Sequence, residues 1–124
     1  MSQVACQRFP TVLEGFNNTG GTLTAFLAVK GGPSSILLPT ALTDACYGFL
    51  TEDAADQSMG NVQIGGVAIC TAGTGGITEG DRLVVEANTG KMITWAPAGG
   101  ANQAIAGTCL RTAAATKLGE ILIG

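Results

Sequence analysis

Nine Asp and Glu, six Lys and Arg, four Cys and no His are the groups from which this 124-residue chain could build chemistry. The missing histidine removes the commonest general base and the commonest metal ligand. A Ser–His–Asp arrangement cannot be assembled. Ser58 and Lys117 could form a dyad on residue type alone, but they stand one repeat apart and belong to equivalent, separate loops. Glu52, Asp53 and Asp56 are the densest acidic group. Carboxylate oxygens suit a hard cation, but the spacing is not that of a calcium loop, and the stretch reads as a solvated acidic turn. Glu79 and Asp81 flank a turn glycine and read as turn residues. Cys6, Cys46, Cys70 and Cys109 are widely separated, with no C-x-x-C pair and no histidine partner. That pattern describes small buried hydrophobes rather than a zinc site. Gly90-Lys91 lacks the upstream glycine of a phosphate loop, and Gly73-Thr74-Gly75-Gly76 precedes no helix pattern. The sequon Asn17-Asn18-Thr19 has no accompanying secretion signal. No catalytic residue, cofactor site or metal site is expected.

Binding chemistry has more to work with. Trp95, followed by Ala96-Pro97, is either a core or lid residue or an interface anchor. With Asn88, Asn102 and Gln103 it could also form a sugar platform, so a small-ligand or carbohydrate-binding β module is the alternative reading. The shortage of aromatics, 5% of the chain, weighs against that alternative. Near the N-terminus, Arg8, Phe9 and Phe16 are of the residue types that anchor interfaces.

The elements that must position these groups are strands. Nineteen residues are Gly and 46% are apolar, while only 12% are charged. Such a chain is neither disordered nor rich in helix. A net charge of −3 with singly spread cations gives no footprint for nucleic acid. No apolar run reaches the length of a spanning helix, so no membrane partner is expected. The first residues, MSQVACQRFP, have neither the basic nor the apolar region of a signal peptide, which fits production in a reducing cytoplasm. Apolar alternation and turn residues place strands near 23–30, 34–38, 46–51, 61–70, 82–87, 91–95, 105–110 and 119–123. Short helical turns are conceivable only at 52–58 or 112–117. Gly80 and Gly90 stand where turns want a left-handed residue.

The chain repeats itself. A slide of 59 residues lays 19–65 on 78–124 without a gap and matches Gly21 with Gly80, Gly48 with Gly107, Ala54-Ala55 with Ala113-Ala114, Gly60 with Gly119, and Ile64-Gly65 with Ile123-Gly124. Cys46 falls on Ile105 and Cys109 on Leu50, as packing residues would. The expected fold is all-β: a small antiparallel barrel or sandwich of two pseudo-repeated halves, with residues 19–124 as one β domain and residues 1–18 as an extended N-terminal arm. Small side chains bury little area each, at about 25 cal/mol per Å², so the chain has reason to seek further burial against a partner.

The stretches Ile64-Gly-Gly-Val-Ala-Ile, Ala72-Gly, Ile77-Thr-Glu-Gly-Asp-Arg-Leu-Val-Val and Asn88-Thr-Gly-Lys resemble the small head-decoration (capsid cement) proteins of tailed bacteriophages. Ala106-Gly107-Thr108-Cys109-Leu110 and Gly119-Glu-Ile-Leu-Ile resemble that family's ending, with Cys109 where the family has Ala. The resemblance covers roughly 45–124 and, more weakly, 22–44; residues 1–18 do not match. It implies a non-enzymatic virion protein on the outer surface of the capsid, a homotrimer whose partner is the major capsid protein and which stabilises the shell by bridging subunits. Arg8, Phe9, Phe16 and Trp95 are the expected interface residues; residues 1–18 either reach a neighbour as an arm or supply a first strand that closes the chain's own sheet.

Overall fold

The computed structural model describes residues 12–96 and 103–124. Ten strands follow one another: β1 (Val12–Asn17), β2 (Ala28–Gly32), β3 (Ser35–Leu37), β4 (Gly48–Leu50), β5 (Ser58–Gln63), β6 (Val67–Thr71), β7 (Arg82–Val85), β8 (Met92–Thr94), β9 (Ile105–Arg111) and β10 (Leu118–Ile123). The described residues contain no helix; residues 56–57 and 115–116, inside the two conceivable helical stretches, are tight turns. Glycine at the turns and β-branched or small residues between them leave the backbone little choice but ladders.

β1 to β5 close into a five-stranded barrel in the order β1-β3-β2-β4-β5, and β6 to β10 form a five-stranded sheet in the order β6-β10-β9-β7-β8. The two orders are the same topology. Each half runs a hairpin (β2–β3, β7–β8), then a strand beside its first member (β4, β9), then a return strand (β5, β10) that pairs the opening strand (β1, β6). The first half closes through the parallel pair Asn17↔Ile36, and the second meets itself at the parallel bridge Ala72↔Met92.

The repeat is therefore structural, but the gapless slide is only half right. Gly48 pairs Val29 in the first half, and Gly107 pairs Leu83 in the second. The two glycines are 59 residues apart, whereas Val29 and Leu83 are 54 apart. Likewise the antiparallel bridges Leu23↔Ala54 and Ile77↔Ala113 are equivalent. From β4 onward the 59-residue interval holds; before it the true interval is 54 to 56. The second half spends its extra residues in the β7–β8 turn and in the connection to β9. The matches of Gly21 with Gly80 and of Thr19 with Thr78 thus fall out of register. Phe26 is the structural counterpart of Gly80: the amide of Phe26 donates to Leu50 O, and that of Gly80 to Cys109 O, both at 2.8 Å.

The unit also begins earlier than the slide indicated. Of the span expected to be an arm, residues 12–17 are β1, paired along their whole length with β5, and they correspond to β6. Residues 1–11 lie outside the described residues. Sequence periodicity missed β1 because its outward residues mix Val12, Glu14 and Phe16, so the alternation is weak. The expected strand at 61–70 divides at Gly66, whose φ of +75° turns β5 into β6.

Two cores result. Leu23, Val29, Ile36, Leu50, Ala54 and Val62 fill the barrel. The other core is built from β6 to β10, around Leu83, Val85, Met92, Cys109 and Ile121, together with Ala28 and Phe49 from the first half. The halves are further tied by Ala28 N to Gly90 O at 2.7 Å, Asn88 N to Pro39 O at 2.7 Å, Ala104 N to Leu42 O at 3.1 Å, and Thr71 Oγ1 to Phe26 O at 3.2 Å.

Candidate functional site

The acidic residues that could have held a cation are committed to turns. Asp53 Oδ1 accepts from Ala25 N at 2.7 Å, Asp56 Oδ1 from Gly20 N at 2.8 Å, and Glu52 Oε1 from Asn61 Nδ2 at 2.6 Å. Asp81 Oδ2 accepts from Thr94 Oγ1 at 3.2 Å. Among the described residues no three His, Cys, Asp or Glu side chains gather as metal ligands. Asp44 accepts from Lys30 Nζ at 2.9 Å and from the Thr40 and Ala41 amides at 2.7 and 3.1 Å. The Lys30 ammonium first, then these amides, holds the Asp44 carboxyl well below the usual carboxylate range. Glu86 is pushed up by burial, but hydrogen bonds from Thr74 and Thr89 and the charge of Lys91 outweigh that and leave it below its ordinary value.

The described thiols pack against the second core. Cys46, Cys70 and Cys109 are free, and Cys70 and Cys109 are buried. Burial pushes Cys46 and Cys70 up to about 12 and also raises Cys109. Cys6 lies outside the described residues. Ser58 Oγ donates to Ala55 O at 2.6 Å, and Ser58 and Lys117 stand at equivalent ends of β5 and β10 in different halves.

Of the expected interface residues, Arg8 and Phe9 lie outside the described residues. Phe16 is half-buried on the outer side of β1, across from Met59. Trp95 is half-buried just after β8, its amide donating to Arg82 O at 2.8 Å. The two aromatics are thus in separate halves. Gln103 Nε2 donates to Ala96 O at 3.2 Å, beside Trp95. Asn88, with φ +69°, sits in the β7–β8 turn, at the other end of that hairpin from Trp95. Asn102 lies outside the described residues. The sugar platform composed from sequence is therefore not one surface.

The surface that sequence reading missed is the outer face of β6, β10 and β9. Val67 is 51% exposed, Ile69 44%, Leu118 52% and Leu122 46%, with Leu110 and Ile105 also exposed. Leu122 lies directly across from Val67, and Ile69 across from Glu120. These strands invert the usual pattern: on β6 the small residues Ala68 and Cys70 point inward and the large ones outward. The corresponding face of the first half is more polar. There Glu14 replaces Ile69, Asn61 replaces Glu120, and Gln63 replaces Leu122. Clustered exposed apolar residues make this face a candidate interaction surface, and the first half keeps Val12, Met59 and the half-buried Phe16 at the equivalent positions of its own outer face. The signal in the sequence was the ordering large-small-large-small in VAICT, which hydropathy alone assigns to the core.

Beside this face the halves meet at a cavity of about 170 Å³ lined by Phe26, Phe49, Leu50, Ala68 and Ile69, with Thr51 and Gln63. Phe26 holds a left-handed backbone, φ +68°, at a cost of about 1–2 kcal/mol for a residue with a Cβ. Its counterpart Gly80 has φ +92° and open space around it. The first half keeps an aromatic ring at the seam where the second has glycine.

No protein-family model matches this sequence, and no curated protein is significantly similar to it. A solved structure is similar in fold: the N base of head fiber gp8.5 of bacteriophage phi29, with a TM-score of 0.69 over 91% of this chain and 94% of that one, at 13% sequence identity. At that identity the likeness is one of architecture, and the chain shares the all-β fold of a phage head fiber base across nearly its whole length.

Proposed function

We propose that this protein is a non-enzymatic structural component of a phage virion, made in the host cytoplasm, which binds the outer surface of the capsid and stabilises it by bridging neighbouring shell subunits. The observation that carries this reading is the near end-to-end fold match to a head fiber base. The site chemistry agrees with it: carboxylates tied into turns and thiols held protonated leave the described residues equipped to touch rather than to react.

In this reading the protein works as a trimer against the major capsid protein. Contacts made at several points become intramolecular after the first, so dissociation needs all of them to open together. The apolar face of β6, β10 and β9 is the contact surface, with the ion pair of Arg111 and Glu120 at 3.6 Å set between Leu118 and Leu122. Phe16 and Trp95, half-buried aromatics in the two halves, are secondary anchors, and Arg8 belongs to the segment that precedes β1.

Light scattering of the purified chain gives its oligomer number, and co-sedimentation with phage heads stripped of their outer proteins gives binding. A trimer that sediments with heads in fixed stoichiometry is the expected result. A monomer that stays in the supernatant at every concentration overturns the reading.

A further inference from the structure

The seam cavity has the size of a single aromatic ring. Apolar cavities of about 150 Å³ accept benzene, and this one measures about 170 Å³. Phe49, Leu50 and Ala68 in its lining are sealed from solvent and form its floor, while Ile69, 44% exposed, stands at its mouth. Phe26 adds an aromatic wall from a left-handed backbone, at the position where the second half has Gly80. Strain kept at one copy of a repeated position and relieved at the other points to a use for the side chain there.

The polar side chains of the lining narrow the chemistry. Gln63 Nε2 donates to Gly65 O at 2.9 Å and to Val67 O at 2.8 Å, which takes both amide hydrogens and leaves Oε1 to accept. The Thr51 hydroxyl donates to Asn61 O at 3.4 Å and keeps its lone pairs. Beside two phenyl rings, these side chains therefore offer acceptors. Aromatic rings meet edge-to-face or offset, so a planar occupant suits the walls. An occupant that also suits the polar groups carries a donor at its edge, which describes a phenol.

We propose that the cavity is a binding site for a single phenolic ring. Phe26 and Phe49 hold the ring, and Thr51 and Gln63 accept from its hydroxyl. The ring is either a free small phenol or the side chain of a tyrosine on a bound protein. The inference concerns the isolated chain and stands or falls independently of the virion reading.

Titration of the isotope-labelled full-length chain with p-cresol, followed by NMR amide shifts, tests it. The expected result is saturable shifts centred on Phe26, Thr51, Gln63, Ala68 and Ile69, with half-saturation at about 1 mM or below. Toluene, which lacks only the hydroxyl, should bind at least about threefold more weakly; in a cavity without an acceptor, burying the hydroxyl would make p-cresol the weaker ligand. N-acetyltyrosine amide separates the two sources. Shifts at the same residues assign the ring to a tyrosine side chain, and shifts with p-cresol alone assign it to a free phenol. Phe26→Gly installs the residue of the equivalent position in the second half and should weaken p-cresol at least about tenfold, as for loss of an aromatic wall. Ile69→Ala, at an exposed position, is the second variant and should weaken it about threefold. Shifts that do not saturate or that centre elsewhere overturn the proposal, as do toluene binding as tightly as p-cresol and unchanged binding in either variant.

Discussion

Asn17 is the one polar residue fully buried among the described positions, and its bonding is saturated. Its Nδ2 donates to Gly21 O and Ala54 O, both at 2.8 Å, and its Oδ1 accepts from Thr19 N at 3.1 Å and Thr19 Oγ1 at 2.7 Å. The corresponding position in the second half is Ala72. The side chain thus staples the long loop after β1, which the shorter second-half loop does without. Asn17→Ala removes these bonds from a buried site and is expected to lower stability by about 1–3 kcal/mol in urea titration. The buried thiols give another outcome at this scale. At a pKa of about 12 against an ordinary 9, Cys46 and Cys70 hold about a thousandth of the usual thiolate. Iodoacetamide should therefore modify them at least about 100-fold more slowly in the native protein than after denaturation. Asp44 sets the sign of one pH effect. Its folded pKa is depressed, so the stabilisation is complete above its unfolded value near 4 and is lost as pH falls from there. Replacement by Asn should shrink the difference in stability between pH 7 and pH 3, read from urea midpoints at the two pH values.

Strands and turns explain both what could be read from the residues and what could not. Eight strand regions and the two-half plan were legible, because turn glycines and alternating apolar residues are local signals. The pairing intervals were not, because an insertion in a β7–β8 turn leaves no mark in composition. Gly48 and Gly107 are the clearest case of a true match. A Cβ at Gly48 would collide with the carbonyl of Gln63, and one at Gly107 with the carbonyl of Leu122, two carbonyls that are themselves one repeat apart. Gly107→Ala should cost about 1–3 kcal/mol in thermal or urea unfolding, as overpacking against backbone does. The outward face of β6 and β10 went unread for a different reason. Hydropathy reports how apolar a residue is, and only register reports which way it points. Leu122→Glu changes an exposed position and should move stability by no more than about 0.5 kcal/mol. If this face makes the proposed contact, the same change should reduce sedimentation with phage heads at least about tenfold, because a charge must then be desolvated there.

For the molecule as a body, the fold is a pair of similar halves with unequal ends. On the proposed trimeric assembly, contacts shared among copies multiply, so a variant that remains folded but monomeric should bind heads at least about 100-fold more weakly than the assembled form. Light scattering and co-sedimentation on one preparation decide this. The unequal cores carry a different implication. The barrel core is drawn from residues 23–64 alone, whereas the second core borrows Ala28 and Phe49 from the first half. During synthesis the ribosome releases the self-sufficient half first. By the time the last strand emerges, a finished surface is waiting with the ring that the later half lacks, so the direction of translation coincides with the order in which the halves can mature.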